Sequence, residues 1–191
     1  KTYIVSSLRG NIIETYKSRF GIFIGYLFSK FHLSLFKSFD LIISMNSEQK
    51  KIISENTKTN SAIIGNFLDE TNITLPKKEL SSDKFRICFL GRLVPLKSVD
   101  QLIIAIKNLS SIFKDIELIL IGDGKSKKSL EKLVSYYNIK KNVIFLGYLE
   151  DPLEYLYNSN VLVIPSLTEG TSRSALEALY HGIPCIMRDT L

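Results

Sequence analysis

The sequence predicts a doubly wound α/β fold built on parallel sheets. Short runs such as Glu117-Leu-Ile-Leu-Ile-Gly122 and Val161-Leu-Val-Ile164 are apolar at nearly every position, as strands buried on both faces must be. Between them lie segments whose apolar residues recur three and four apart, the spacing of a helix laid on a sheet. The two kinds alternate through the second half of the chain, as in successive βαβ units.

Taken in order, Tyr3–Ser6 is expected as a strand, followed by one long apolar helix over about Ile12–Ser38. Leu41–Ser44 reads as a strand, a helix capped near Ser47 runs to about Glu55, and Ala62–Ile64 is a further strand. A polar stretch with one proline, TNITLPKKELSSDK, then breaks the pattern and reads as a linker. Phe85–Gly91 is the next strand, and Ser98–Leu109 a helix with Val99, Leu102, Ile103, Ile106 and Leu109 inward. Glu117–Gly122 (strand), Ser126–Tyr137 (helix), Asn142–Leu146 (strand) and Pro152–Tyr157 (short helix) follow. Val161–Ile164 (strand), Ser172–His181 (helix) and Ile183–Met187 (strand) complete the series. The domains expected are 1–66, the last part of a first α/β domain; 67–83, the linker; and 84–191, most of a second one. The chain begins without Met and stops just after an apolar strand, so it is expected to be a fragment of a longer two-domain protein.

Composition narrows the possible functions. With 191 residues and 45% hydrophobic content the chain can bury a core and is not disordered. Two cysteines exclude a disulfide scaffold, and Cys88 and Cys185, both in apolar strands, read as buried thiols. The net charge of +6 is shared evenly by the two halves, so there is no basic tail of the kind that binds nucleic acid. A mild positive field favours anionic ligands. No uncharged stretch is long enough to span a membrane.

Chemistry is expected at the carboxyl ends of the strands, where open α/β sheets bind ligands. Arg92 and Lys97 follow the strand ending at Gly91, offering a guanidinium fork and a point charge to phosphate oxygens; solvated loop charges are the plain alternative. Ile121-Gly122-Asp123-Gly124, at the next strand end, has glycines that would let a ligand approach the backbone, but it lacks the third glycine of the dinucleotide fingerprint, because position 127 is Lys, and a tight turn is the plainer reading of this motif alone. Glu169 and Glu177 flank Gly170, Thr171 and Ser172, whose backbone N–H groups open a helix. Such a helix start can hold an anion, and ionised carboxylates accept from pairs of sugar hydroxyls. A helix cap beside one surface glutamate would have the same spacing.

These motifs occur in one order: Gly91-Arg92-x4-Lys97, Ile121-Gly122-Asp123-Gly124, Phe145-Leu-Gly147, then Glu169-x7-Glu177 followed by Ala178-Leu-x-x-Gly182-Ile-Pro184. Together they closely resemble the carboxyl-terminal domain of retaining GT-B glycosyltransferases of the group 1 family, the type that builds bacterial capsule and lipopolysaccharide. The resemblance is strong over 84–191, and residues 40–70 are similar to the end of the amino-terminal domain. It implies two Rossmann-like domains, the first incomplete here, and a hexosyltransferase that uses a UDP- or GDP-sugar donor and a saccharide or lipid-linked acceptor. Arg92, Lys97 and Glu169 would be catalytic, the two cations stabilising the leaving diphosphate. The donor would also meet Gly91, Gly122, Asp123, Gly147, Tyr148, Leu149, Gly170, Thr171, Ser172 and Arg173, with Glu177 on the ribose and Tyr148 and Leu149 beside the base.

No metal and no other cofactor is implied, and the chain has no Asp-x-Asp triplet. It departs from the family in lacking the amino-terminal Gly-rich loop and in reading Ser7-Leu8-Arg9-Gly10 where a His is often found. The alternatives are a silent nucleotide-sugar-binding fragment, or another GT-B enzyme such as a sugar phosphorylase or epimerase. The implied location is cytoplasmic, with residues 16–38 as a possible peripheral contact to the inner face of the plasma membrane. That segment has Lys17, Arg19, Lys30 and Lys37, no acidic residue, and aromatic side chains at helical spacing. The plainer expectation is a helix buried on two sides, since its apolar residues spread around more than one face.

Overall fold

The structure is a computed structural model that describes residues 2–68 and 84–189. All of the expected linker except Phe67 and Leu68 lies outside the described residues. The chain divides into two compact units. Among the described residues the first holds 2–67 together with Thr168–Ser172, and the second holds 68, 84–167 and Arg173–Asp189. The loop Thr168–Ser172 therefore groups with the first unit, although the sequence boundaries put it in the second domain.

The first unit is a parallel sheet of three strands in the order β1 (Val5–Leu8), β2 (Leu41–Ser44), β3 (Asn60–Ile63). Its core gathers Leu8, Ile12, Leu33, Phe36, Ile42, Ile52 and Ile53. The first strand begins two residues later than the sequence pattern suggested. Helix α3 (Ser47–Asn56) is capped by Asn46, whose side chain accepts from the Gln49 N–H at 2.9 Å.

The single long helix expected over 12–38 is two helices. Helix α1 (Ile12–Phe20) ends at Gly21, whose φ of +81° and ψ of 169° turn the chain before α2 (Ile22–Leu35), and a 3-10 turn, Phe36–Ser38, follows. The two helices then cross closely. A Cβ on Gly25 would lie 2.4 Å from the Tyr16 carbonyl oxygen, so the crossing depends on glycine there. Burial on two sides is not observed: α2 buries only Gly25, Ser29 and Leu33. Ile22, Phe23 and Phe31 are exposed by 81%, 76% and 64%.

The second unit is a five-stranded parallel sheet of β4 (Phe85–Leu90), β5 (Ile116–Ile121), β6 (Val143–Gly147), β7 (Val161–Ile164) and β8 (Cys185–Met187), in the order β6-β5-β4-β7-β8. The intervening helices are α4 (Val99–Leu109), α5 (Lys127–Tyr136), α6 (Leu153–Tyr157) and α7 (Arg173–Tyr180). Alternation sorts the continuous apolar strands into two cores. Ile87, Phe89, Leu118 and Leu120 join Leu102, Ile103, Ile106, Leu130 and Val134 from α4 and α5. Cys88, Ile119, Ile121, Leu162 and Ile164 join Leu156, Tyr157, Ala175 and Ala178 from α6 and α7. Helices thus cover both faces, as the apolar strands require. Cys88 is buried, and desolvation pushes its thiol up to about 12 despite a hydrogen bond with Ser159, which leaves it inert. Cys185 is only half-buried.

At the amino end of β5, buried Glu117 meets Lys84 Nζ at 2.7 Å and Arg86 Nε at 3.0 Å. Burial alone would raise its pKa, but the hydrogen bonds and charges of Lys84 and Arg86 outweigh burial and hold it below 4.5. The stability this gives is present above the ordinary carboxylate range and is lost as pH falls through the depressed value. Glu117→Gln is expected to cost about 1–2 kcal/mol at pH 7, less than a fully buried pair because Lys84 is half-exposed. Urea unfolding at pH 7 and pH 3 checks it: the gap between variant and parent should close in acid.

Candidate functional site

The strand order reverses direction at β4: β5 and β6 lie to one side, β7 and β8 to the other. Crevices in doubly wound sheets open beside such a switch, outside the carboxyl ends of the strands. A pocket of about 630 Å³ lies there, wholly within the second unit. Its lining comes from Leu90, Gly91 and Arg92 after β4; Ile121, Gly122 and Asp123 after β5; Tyr148 to Leu153 after β6; and Arg173 and Glu177 of α7.

Backbone hydrogen bonds knit the strand-end loops. Gly91 N donates to Ile121 O at 3.0 Å, Leu93 N to Asp123 O at 2.9 Å and Gly122 N to Gly147 O at 2.7 Å. A Cβ on Gly122, whose φ is +132°, would lie 2.0 Å from the Gly91 carbonyl oxygen. That glycine is therefore required by loop crossing loop. Arg92 stands exposed between pinned neighbours, and no carboxylate among the described residues pairs with its guanidinium. Asp123 accepts from Gly124 N at 2.6 Å and from Lys127 Nζ at 3.2 Å, and these bonds, the first above all, hold its carboxyl below the usual range.

Glu177 is the most desolvated carboxylate of the lining, its side chain 17% exposed. Burial raises its pKa, and Arg173, with Nη2 at 3.6 Å one helical turn away, only partly offsets this. The pocket is lined by two guanidinium groups and four carboxylates (Asp123, Glu150, Asp151 and Glu177), a mixed field with no uniform positive sign.

Of the sequence-predicted residues, Gly91, Arg92, Gly122, Asp123, Tyr148, Leu149, Arg173 and Glu177 line this pocket. Gly147 sits just behind it at the end of β6, and Lys97 closes the 3-10 turn Pro95–Lys97. Glu169, Gly170, Thr171 and Ser172 are not among the lining residues and belong to the first unit. There Asn46 Nδ2 donates to Gly170 O at 3.2 Å, Asn66 Nδ2 to Thr171 O at 2.6 Å and Thr171 Oγ1 to Met45 O at 3.3 Å. Sequence reasoning missed the wall formed by Glu150, Asp151, Pro152 and Leu153. Its signal was local: Asp151 Oδ1 accepts from Leu153 N at 3.2 Å, the two-residue reach by which Asp starts a short helix. Among the described residues, no three His, Cys, Asp or Glu side chains converge as metal ligands.

Residues 71–191 match the family described as glycosyl transferases group 1. The chain belongs to this family. It is 32% identical to an uncharacterized glycosyltransferase of Methanocaldococcus jannaschii, over 98% of this chain and 48% of that protein. It is 28% identical to the capsular polysaccharide biosynthesis glycosyltransferase CapM of Staphylococcus aureus, over 95% of this chain and 51% of that one. The chain thus spans about half the length of the curated relatives it matches. Among solved structures it is similar to Anabaena HepE in complex with UDP-glucose, with a TM-score of 0.80 at 19% identity, covering 97% of this chain and 53% of that one. Staphylococcus aureus TarM gives a TM-score of 0.80 at 21% identity over 96% and 36% of the two chains. The fold of this group 1 chain is α/β, with parallel sheets of the GT-B type.

Proposed function

We propose that this chain carries the donor-binding half of a metal-independent, retaining hexosyltransferase of cell-surface polysaccharide synthesis, and that the pocket beside β4 holds the nucleotide of a UDP- or GDP-sugar. The observation that carries this is the convergence of Arg92, Arg173 and Glu177 on one crevice at the switch of strand order. The mixed lining suits a nucleotide better than a bare polyanion: guanidinium groups take the diphosphate, and carboxylates take ribose hydroxyls and base N–H groups. In this reading Arg92 and Lys97 neutralise the leaving diphosphate, Glu177 accepts from the ribose, Tyr148 and Leu149 border the base, and Glu169 holds hydroxyls of the transferred sugar. The capsule-type relative and the UDP-glucose bound by HepE support the same reading.

Calorimetric titration with UDP and GDP tests it, once in EDTA and once with Mg²⁺. Binding of one nucleotide at equal strength in both is expected. Because burial raises the Glu177 pKa and the carboxylate form accepts from the ribose, uridine affinity should fall as pH drops through the raised value. Glu177→Gln should flatten that dependence. No binding of either nucleotide at millimolar concentration would discard the site.

The exposed face of α2 favours a second element of the proposal, peripheral docking on an anionic membrane at the cytoplasmic face. Ile22, Phe23, Leu27 and Phe31 stand exposed beside Lys30, and Lys37 follows in the 3-10 turn. No helix among the described residues is long and apolar enough to cross a membrane, so contact here would be interfacial. The chain should float with phosphatidylglycerol vesicles and stay behind with phosphatidylcholine ones. The pair Lys30→Glu and Lys37→Glu should abolish flotation; flotation unchanged by both would sink the idea.

A further inference from the structure

Helix α7 brings Arg173 and Glu177 to the pocket, yet little apolar surface fixes its roll. It is eight residues long, and the side chains it buries are Ala175 and Ala178. Small side chains permit close approach to β7 but cover little area, so the rotational position of such a helix needs another constraint. That constraint lies just past its carboxyl end. His181 follows Glu177 by four residues, so the two share a face. The His181 ring packs against Tyr157, ring centroids 4.1 Å apart, and its Nε2 is 2.8 Å from the Tyr157 hydroxyl. The His181 backbone N–H closes the last turn on Glu177 O and Ala178 O, at 3.3 and 3.1 Å.

Tyr157 is itself anchored: it is buried at the end of α6, in one cluster with Leu156, Ala175 and Ala178. Helix α6 begins at Leu153, directly after the loop that forms the opposite wall of the pocket. The Tyr157–His181 contact therefore joins the two elements whose other ends line the pocket. The Tyr157 hydroxyl also lies within electrostatic reach of two lining carboxylates: burial raises its pKa most, and Asp151 and Glu177 raise it further.

We infer that Tyr157 and His181 are positioning residues, a hydrogen-bonded clamp between α6 and α7 that aims the Glu177 carboxylate into the pocket. This deepens the nucleotide-site reading and rests on it. Neither side chain is among the pocket lining, so their effect on ligand is transmitted through Glu177.

A double-mutant cycle on the 191-residue chain tests the inference, read as the Kd for UDP. Tyr157→Phe keeps the ring and removes the hydroxyl, and should weaken UDP about fivefold, the worth of one neutral hydrogen bond. Glu177→Gln should weaken it on the order of tenfold. The combination should be no weaker than Glu177→Gln alone, because the clamp acts through that carboxylate. His181→Gln, whose amide still reaches the hydroxyl, should keep most of the affinity that His181→Leu loses. Affinity for inorganic pyrophosphate should not change in Tyr157→Phe or in the two His181 variants, whose side chains lie outside the pocket lining. Full additivity of Tyr157→Phe on Glu177→Gln would show a merely structural role and overturn the inference, as would a Tyr157→Phe protein with parental affinity. The cycle is read with GDP instead if that is the nucleotide bound; if the parent chain binds neither UDP nor GDP, or Glu177→Gln has no effect, the nucleotide-site reading fails and takes this inference with it. That failure is visible without any Tyr157 variant.

Discussion

Arg92→Ala is expected to weaken UDP binding about 30–100-fold while leaving uridine within twofold. The size follows from chemistry. A guanidinium presents two parallel N–H donors to phosphate oxygens, and a hydrogen bond to a charged group contributes about 1.5–3 kcal/mol. The structure gives this side chain little else to do: it is exposed, and no carboxylate among the described residues pairs with it. Its backbone is fixed independently, by Gly91 N on Ile121 O and Leu93 N on Asp123 O, so truncation should not move the loop. Thermal stability should therefore change by less than about 0.5 kcal/mol. Arg92→Lys should fall between parent and Ala, since an ammonium keeps the charge and loses the fork. Titrations of UDP and uridine against the three proteins decide it. A UDP affinity within threefold of the parent for Arg92→Ala would remove Arg92 from the diphosphate site.

The second unit was legible in the sequence because its central strands, β4, β5 and β7, are largely buried on both faces. Burial of that kind writes a continuous apolar run, and β5 is buried at all six positions. Half of the pocket was legible for a related reason. Arg92, Gly122, Asp123 and Tyr148 each follow a strand end, and in a parallel sheet all such ends lie on one side. What stayed hidden depends on partners distant in sequence. The break at Gly21 leaves helical apolar spacing intact on both sides, so periodicity runs straight through it. Only the crossing of α2 over Tyr16 at Gly25 makes two helices of it. His181 was readable as the end of a helix, but its bond to Tyr157 joins elements 24 residues apart. Thr168–Ser172 groups with the first unit through Met45, Asn46 and Asn66, more than 100 residues away, which no local pattern records.

From the sequence alone Gly122 is a glycine that lets a ligand approach or a turn tighten, and the geometry gives it a harsher requirement. An added Cβ would meet Gly91 O at 2.0 Å and Gly91 C at 2.9 Å, both main-chain atoms of the loop that carries Arg92. A flexible side chain can swing away from such a collision, but this backbone is itself hydrogen-bonded to Ile121 O. Relief requires β4 and β5 to part at their carboxyl ends, which would break the bonds from Gly91 to Ile121 and from Leu93 to Asp123 together. Backbone strain at φ +132° adds on the order of 1–2 kcal/mol for any L side chain. Gly122→Ala should therefore cost about 4 kcal/mol or more, a large share of a typical total stability of about 5–15 kcal/mol. Gly182 separates the two contributions within the same unit. Its φ is +70° and nothing lies within 4 Å of its Cβ position, so Gly182→Ala carries strain without collision and should cost about 1 kcal/mol. Urea unfolding followed by tyrosine fluorescence compares them. Equal losses for Gly122→Ala and Gly182→Ala would mean that the loop crossing yields easily. A Gly122→Ala protein that does fold should bind UDP more weakly than the parent, because the backbone it displaces is the one that sets the position of Arg92.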